Sequence, residues 1–226
     1  DPVLAVRRVG VERYAGGIIA AANHVAAFCD DVTLLSALPE CQQDNFPASA
    51  LSSGVKAMFL PQASPTIVKR RYVEVYPRQN LFEEYEMAAN GITASENLAL
   101  CSALEAMLPS CDLVVVIDYG HGMIGPEAAV LLATRAKFLA VNTQLNAGNG
   151  GLNVISKYLR ADYIALSEKE IRLEARRRTK DLPSIIRDVA SRLSSPRITV
   201  TMGQNGVVCF GDGGCTAPTL DGSILV

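Results

Sequence analysis

The chain has no tryptophan, only two histidines, and aromatic residues at 6% of its 226 positions. It has no marked excess of one charge either: 21 Lys and Arg face 23 Asp and Glu, a net charge of -2. That balance argues against a protein that coats nucleic acid or acidic lipid. Six cysteines stand at positions 29, 41, 101, 111, 209 and 215, and none forms a C-x-x-C pair. With so few histidines, a zinc centre is not expected. Four of the six lie beside apolar residues, as buried free thiols do, which fits a reducing cytoplasm. No apolar run approaches the roughly eighteen residues of a membrane span, and no secretory leader is recognisable, so neither is expected. A Walker-type G-x-x-x-x-G-K-[ST] is also missing.

What is present is a chain rich in core-forming residues, 49% hydrophobic against 19% charged, enough for one large packed domain. "GGIIAAANHVAAF" (16–28) reads as a Gly-Gly turn and a closely packable helix, followed by strands at 31–38 and 55–60. Residues 64–86 differ: apolar and charged residues share both faces of a strand, then a turn near "PRQN" leads into a second run. This is the profile of a small sheet outside the main core, and "LAVRRVGVERY" near the start has the same texture. After Ser95 the pattern is regular. Helices at about 95–108, 125–137, from Ser167 and at 182–194 alternate with apolar strands at 111–120, 138–143, 162–166 and 197–203. Such alternation predicts a mostly parallel sheet covered on both faces. The run Arg176-Arg177-Arg178 is read as a solvated face.

In parallel sheets of this kind ligands sit at the carboxyl ends of the strands. Four exits stand out: Asp118 with two glycines around His121; Asn142-Thr143-Gln144 with the glycines after it; Ser167, Glu168 and Glu170; and Thr201, Gly203 and Gly206. Each has an ordinary reading. Ser167 and Glu170 form a capping-box pattern, Asn205-Gly206 is a hairpin turn, and Gly148–Gly151 suits a loop. Gathered on one sheet edge, their backbone N–H groups and helix N-termini suit an anion, hence a phosphorylated ligand.

In this order and spacing, the motifs resemble those of the ribokinase-like (PfkB) sugar kinases, and most of all their heptose-phosphate kinase branch. "ERYAGGIIAAANHVAAF" is similar to the early Gly-Gly substrate motif, "SPTIVKRRYVEV" to the lid, and "VVVIDYGHGMI" to D-Y-x-K-G. "YIALSEKEI" stands where the family has N-x-x-E, and "VTMGQNGVVCF" resembles V-T-x-G-x-x-G. The resemblance implies a three-layer α/β/α sandwich with a mostly parallel sheet, forming one domain over 1–226. A β-sheet lid would come from about 3–14 and 64–86. It implies Mg-ATP as donor, a sugar or sugar phosphate as acceptor, homodimers through the lids, and a possible fused nucleotidyltransferase domain. Gly16, Gly17 and Asp118 would meet the sugar. Asn142, Ser167, Glu170, Thr201, Gly203 and Gly206 would line nucleotide and phosphate, and Glu170 would orient the magnesium through water.

The chain also departs from the pattern. Ala20 stands where the family has a sugar-binding Asn, His121 where it has Lys, Asn142-Thr143-Gln144 where it has D-P-K, and Ser167 where it has Asn. The closing "DGSILV" reads as a turn and a strand cut short. The resemblance implies a following D-x-x-G-A-G-D whose last Asp deprotonates the sugar hydroxyl. No residue of the 226 takes that place, so no catalytic base is assigned and little or no turnover is expected. Exposed apolar residues at that end would favour dimers or aggregates. The alternative is a non-catalytic kinase-like module that binds ligand or dimerises within a larger nucleotide-sugar enzyme. A hydrolase or dehydrogenase is disfavoured, since no nucleophile–His pair or G-x-G-x-x-G is present.

Overall fold

The computed structural model describes residues 3–39, 46–88, 91–177 and 181–216. The expectations about Cys41, Arg178 and the closing "DGSILV" fall outside these residues. The chain divides into two compact units, Asp1–Pro61 and Gln62–Val226.

In the first unit, α1 (Gly17–Val25) follows the Gly-Gly turn, and β1 (Val32–Pro39) pairs with β2 (Val55–Gln62); a short α2 (Phe46–Ser49) lies between them. Ile19 and Ala22 of α1 and Leu34 of β1 form the core, with Leu51, Val55 and Phe59 against it. Asn23 fastens α1 to the turn after α2: its Nδ2 donates to the Ala50 carbonyl (2.9 Å) and its Oδ1 accepts the Ser52 N–H (2.8 Å). The lid strand expected at 3–14 does not form, for residues 3–16 carry no helix or strand. Val3, Val9, Val11 and Tyr14 stay largely exposed. An extended segment becomes a strand only when a neighbour takes its N–H and C=O groups, and alternation in sequence does not supply that neighbour. Cys29 is likewise exposed rather than buried, because α1 ends at Val25 and the turn beyond it leaves the core.

The second unit opens with the predicted hairpin, β3 (Val68–Val73) antiparallel to β4 (Asn80–Glu86). Register places Tyr72 against Phe82, and the rings stack at 4.2 Å. On the other face Lys69 and Arg71 both meet Glu83, at 2.8 and 2.9 Å. The faces are therefore held by cross-strand pairs rather than by a core.

α3 (Ala94–Met107) starts from a complete capping box of Thr93 and Glu96 and buries Leu100 and Leu104, with buried Leu108 at its C-cap. The six-stranded sheet then runs in the order β10-β9-β8-β7-β6-β5. β5 (Val114–Asp118), β6 (Leu139–Thr143), β7 (Tyr163–Ser167) and β8 (Arg197–Thr201) are parallel. β9 (Val207–Gly211) and β10 (Gly214–Thr216) return antiparallel at the edge. α4 (Pro126–Arg135) presents Ala128, Ala129, Leu132 and Ala133 inward, small residues that let it approach closely. α5 (Glu168–Ala175) stops before the arginine run, with exposed Arg176 in the left-handed cap position. α6 (Leu182–Arg192) buries Leu182, Ile185, Ile186, Val189 and Ala190, an i, i+3, i+4, i+7, i+8 stripe behind an Asp181 cap. Burying each large aliphatic side chain contributes about 1.5–3 kcal/mol.

Burial alternates along the strands. Val116, Leu139, Val141, Ile164, Leu166, Ile198 and Val200 are buried on one face. The expected cover on both faces is incomplete among the described residues, since Ala140, Asn142, Tyr163, Ala165 and Thr199 on the other face are half-buried. Its polar members satisfy one another: the Tyr163 hydroxyl donates to Thr199 Oγ1 at 2.8 Å.

Candidate functional site

The parallel register brings four strand exits to one edge. Asp118 stands beside Thr143, Ile117 beside Asn142, and Ser167 beside Thr201. Gly203 and Gly206 follow β8 in a tight turn, with Gly206 N–H donating to the Gly203 carbonyl at 3.1 Å. Seven of the nine expected site residues thus share the edge of one unit. Gly16 and Gly17 belong to the other unit, where Gly16 caps α1 and a side chain on it would meet nothing within 4 Å. Ala20 lies on the exposed side of α1.

The side chains at these exits are turned inward. Asp118 is 5% exposed. Its Oδ1 accepts the Gly120 N–H at 2.9 Å, and its Oδ2 accepts the Tyr158 hydroxyl at 2.8 Å and pairs with the Lys157 ammonium. Burial, and then the Asp118 charge, push the Tyr158 phenol far above its ordinary value, so it remains a donor at every working pH. Gly120 has a left-handed φ of +68°, and a Cβ there would stand 2.5 Å from Asn153 Cβ. Two residues on, Gly122 meets the backbone of Gly91 so closely that its added Cβ would reach 2.4 Å from Gly91 Cα. The glycines of "DYGHG" are therefore required by packing.

Asn142 also bonds within the sheet: its Nδ2 donates across it to the Ala165 carbonyl at 2.8 Å. Glu170 closes the capping box by accepting the Ser167 N–H (2.6 Å), and its other oxygen accepts the Leu145 N–H (2.8 Å). It thus ties α5 to the loop after β6. That loop, expected to be flexible, is a compact 3-10 turn (Ala147–Asn149) locked by asparagines. Asn146 and Asn149 cap each other and both donate to the Tyr119 carbonyl, while Asn149 also reaches the Gln144 carbonyl at 2.6 Å. Asn153 donates to the Asp118 carbonyl at 2.7 Å.

His121 lies above this knot. Its Nε2 faces Asn146 Oδ1 at 3.4 Å, and its ring lies between Tyr119 and Tyr85. Because Asn146 Oδ1 can only accept, Nε2 is the donor in this contact. Tyr85 comes from the hairpin, and with Met87 it closes over Gly148, where a Cβ would stand 3.1–3.2 Å from both side chains. The hairpin is thereby seated beside the strand exits.

Sequence reasoning missed Lys157, Tyr158 and Asn153. They come from the segment before β7, and no spacing ties them to Asp118, which Tyr158 meets across 40 positions. The asparagine-rich run "NAGNGGLN" was the one available signal. Among the described residues no group of three or more His, Cys, Asp or Glu stands together to hold a metal. Each Glu170 oxygen accepts one backbone N–H, which leaves each a further lone pair for a water.

No family profile matches the chain. Curated relatives do, among them two bifunctional proteins HldE. The one from Desulfatibacillum aliphaticivorans is 26% identical over 176 residues, 75% of this chain and 34% of the relative. The one from Azotobacter vinelandii is 31% identical over 142 residues, 62% of this chain and 29% of the relative. The chain therefore spans about a third of their length. Among solved structures, phosphofructokinase-2 from Escherichia coli superposes with a TM-score of 0.71 at 11% identity, over 91% of this chain and 67% of that one. Ribokinase from Thermotoga maritima superposes with a TM-score of 0.68 at 15% identity, over 98% and 72%. Fold and sequence likeness agree: the chain has the ribokinase-like fold, and its sequence is similar to part of the bifunctional HldE proteins.

Proposed function

We propose that the chain is a carbohydrate kinase-like domain that binds a sugar or sugar phosphate and a nucleotide at the carboxyl ends of β5–β8. In this reading the described residues form the binding frame and transfer phosphate slowly or not at all. One observation carries it: the acidic groups kept from the family pattern, Asp118 and Glu170, spend their oxygens on internal partners. Neither is placed to deprotonate a hydroxyl, and the Asn142-Thr143-Gln144 run offers no charge in their stead. The backbone at Gly203 is open, for a Cβ there would meet nothing within 4 Å, and suits a nucleotide lying over the β8 exit. Thr201 and Ser167, neighbours in register, would flank its phosphates. Asp118 would serve the sugar through the loop it holds. Magnesium, when bound, would neutralise phosphate charge, with Glu170 reaching it through water at most.

The HldE likeness supports placing the domain beside a second activity in a nucleotide-sugar protein of the cytoplasm, and the hairpin supplies a surface for pairing lids in a homodimer. No described helix is long and apolar enough to cross a membrane.

The test pairs a binding assay with a turnover assay. ATP or sugar phosphates, each at one hundred times its dissociation constant, should stabilise the chain by about 2.7 kcal/mol in thermal melts. ADP release should not rise when sugar is added. Sugar-dependent ADP release at the roughly 1–100 s⁻¹ common for kinases would overturn the non-catalytic part of the reading. The lack of any stabilisation would overturn the binding part.

A further inference from the structure

We infer that Lys157 is the positioning residue of the loop 119–124, holding both of its ends through the buried Asp118 carboxylate and the Ile124 carbonyl. The inference rests on reading this loop, which carries His121, as part of the ligand site. An ammonium has three protons to place. Lys157 places them on Asp118 Oδ2, on Asn153 Oδ1 at 3.1 Å, and on the Ile124 carbonyl at 3.3 Å. The first contact gives the buried carboxylate a partner, without which burial would be very costly. That alone would make Lys157 a neutralising charge. The third contact reaches the far end of the loop. The near end is already held, since Asp118 Oδ1 accepts the Gly120 N–H at 2.9 Å. One ion pair therefore brackets the loop, with His121 between the two anchor points.

The turn that presents Lys157 is itself fixed. Residues Ile155–Lys157 form a 3-10 turn whose Ser156 N–H donates to Glu174 Oε2 at 3.1 Å. The Glu174 side chain is 3% exposed and is paired in turn with Arg192 of α6 at 2.9 Å. The second face of the ammonium lies 5.5 Å from the centre of the Tyr158 ring, so its approach is constrained from that side as well. The line Arg192–Glu174–Ser156–Lys157–Ile124 thus joins the rear helices to the loop at the strand exits. Asp118, on this reading, acts on ligand only through the loop.

The experiment separates positioning from charge neutralisation and does not depend on any enzymatic activity. Amide hydrogen exchange and thermal melts are recorded on the full chain, on Lys157→Met, and on the double variant Asp118→Asn, Lys157→Met. The single variant leaves a buried carboxylate unpaired and is expected to lower the melting temperature sharply. The double variant removes both charges and is expected to recover most of that loss. Its exchange at Ile92, whose N–H donates to the Gly122 carbonyl of the loop, should nevertheless stay at least tenfold faster than in the parent, because the bond to the Ile124 carbonyl is gone. Recovery of parental exchange at Ile92 in the double variant would show Lys157 to be a neutralising charge only and would overturn the inference. Should Lys157→Met fail to fold, the double variant alone decides. Failure of ATP or sugar phosphates to bind the parent chain would strike the functional reading instead, and would leave the exchange result standing.

Discussion

At the scale of single residues, the site is distinguished by where its charges go. Glu170 was expected to face a magnesium-bound phosphate, yet its two oxygens accept the Ser167 and Leu145 N–H groups at 2.6 and 2.8 Å. A carboxylate can accept two such bonds, whereas a carboxamide presents one oxygen and one N–H₂. Glu170→Gln should therefore set a donor against a donor and lower unfolding free energy by about 1–3 kcal/mol, read by urea titration. A variant with unchanged stability would show that these bonds are dispensable and return Glu170 to the role first expected of it. Only the capping half of this arrangement was legible in the sequence, from the spacing of Ser167 and Glu170. The Leu145 bond depends on where a loop 25 positions away returns, which local pattern does not carry.

Among the elements, α3 shows how a local signal is completed by a distant group. Glu96 accepts the Thr93 N–H within its capping box, and also the Ala63 N–H from the segment before the hairpin, each at 2.6 Å. These bonds, that to Thr93 first and that to Ala63 second, hold the Glu96 carboxyl below its ordinary value of 4.5. Glu83 is lowered in the same direction by its bonds to Lys69 and then Arg71. For a depressed carboxyl the added stability is present above the unfolded-state pKa and is lost as pH falls through the lower folded-state pKa. The start of α3 and the hairpin should accordingly loosen together as pH falls below the ordinary carboxylate value of 4.5. Residue-resolved hydrogen exchange over that range checks this. Equal protection of residues 94–98 at pH 3 and pH 6 would contradict it. The hairpin's existence was readable from its mixed faces, but its seat on Gly148 through Tyr85 and Met87 was not, because both partners are defined only once the sheet has formed.

Across the whole molecule, the sheet centre carries the stability on which the site depends. Ile164 in β7 is fully buried, beside Val141 and Ile198 in the neighbouring strands. Ile164→Ala should cost about 2–5 kcal/mol, the usual range for a core cavity, and lower the denaturation midpoint while leaving the m-value unchanged. A loss below about 1 kcal/mol would mean that β7 is not part of the cooperative core. Because β5–β8 present the strand exits, nucleotide binding and sheet stability should fall together in this variant, whereas the Lys157 double variant should separate them.

The sequence by itself determined the elements and their order. The helix at 182–194, the Ser167 cap and the apolar runs of β5–β8 are local signals, each complete within a dozen residues or so. They were enough to indicate a mostly parallel α/β sheet with a hairpin beside it. Tertiary structure decided which expected site residues keep a free polar atom. Asp118 acquires Lys157 and Tyr158, Asn142 acquires the Ala165 carbonyl, and Glu170 acquires Leu145. It also decided that residues 3–16 form no strand, since a strand exists only with a neighbour to bond. The physical reason is the same throughout. Side-chain periodicity is set along the chain, whereas the partner of a buried charge or an open backbone edge is set by which distant segments the core brings alongside it.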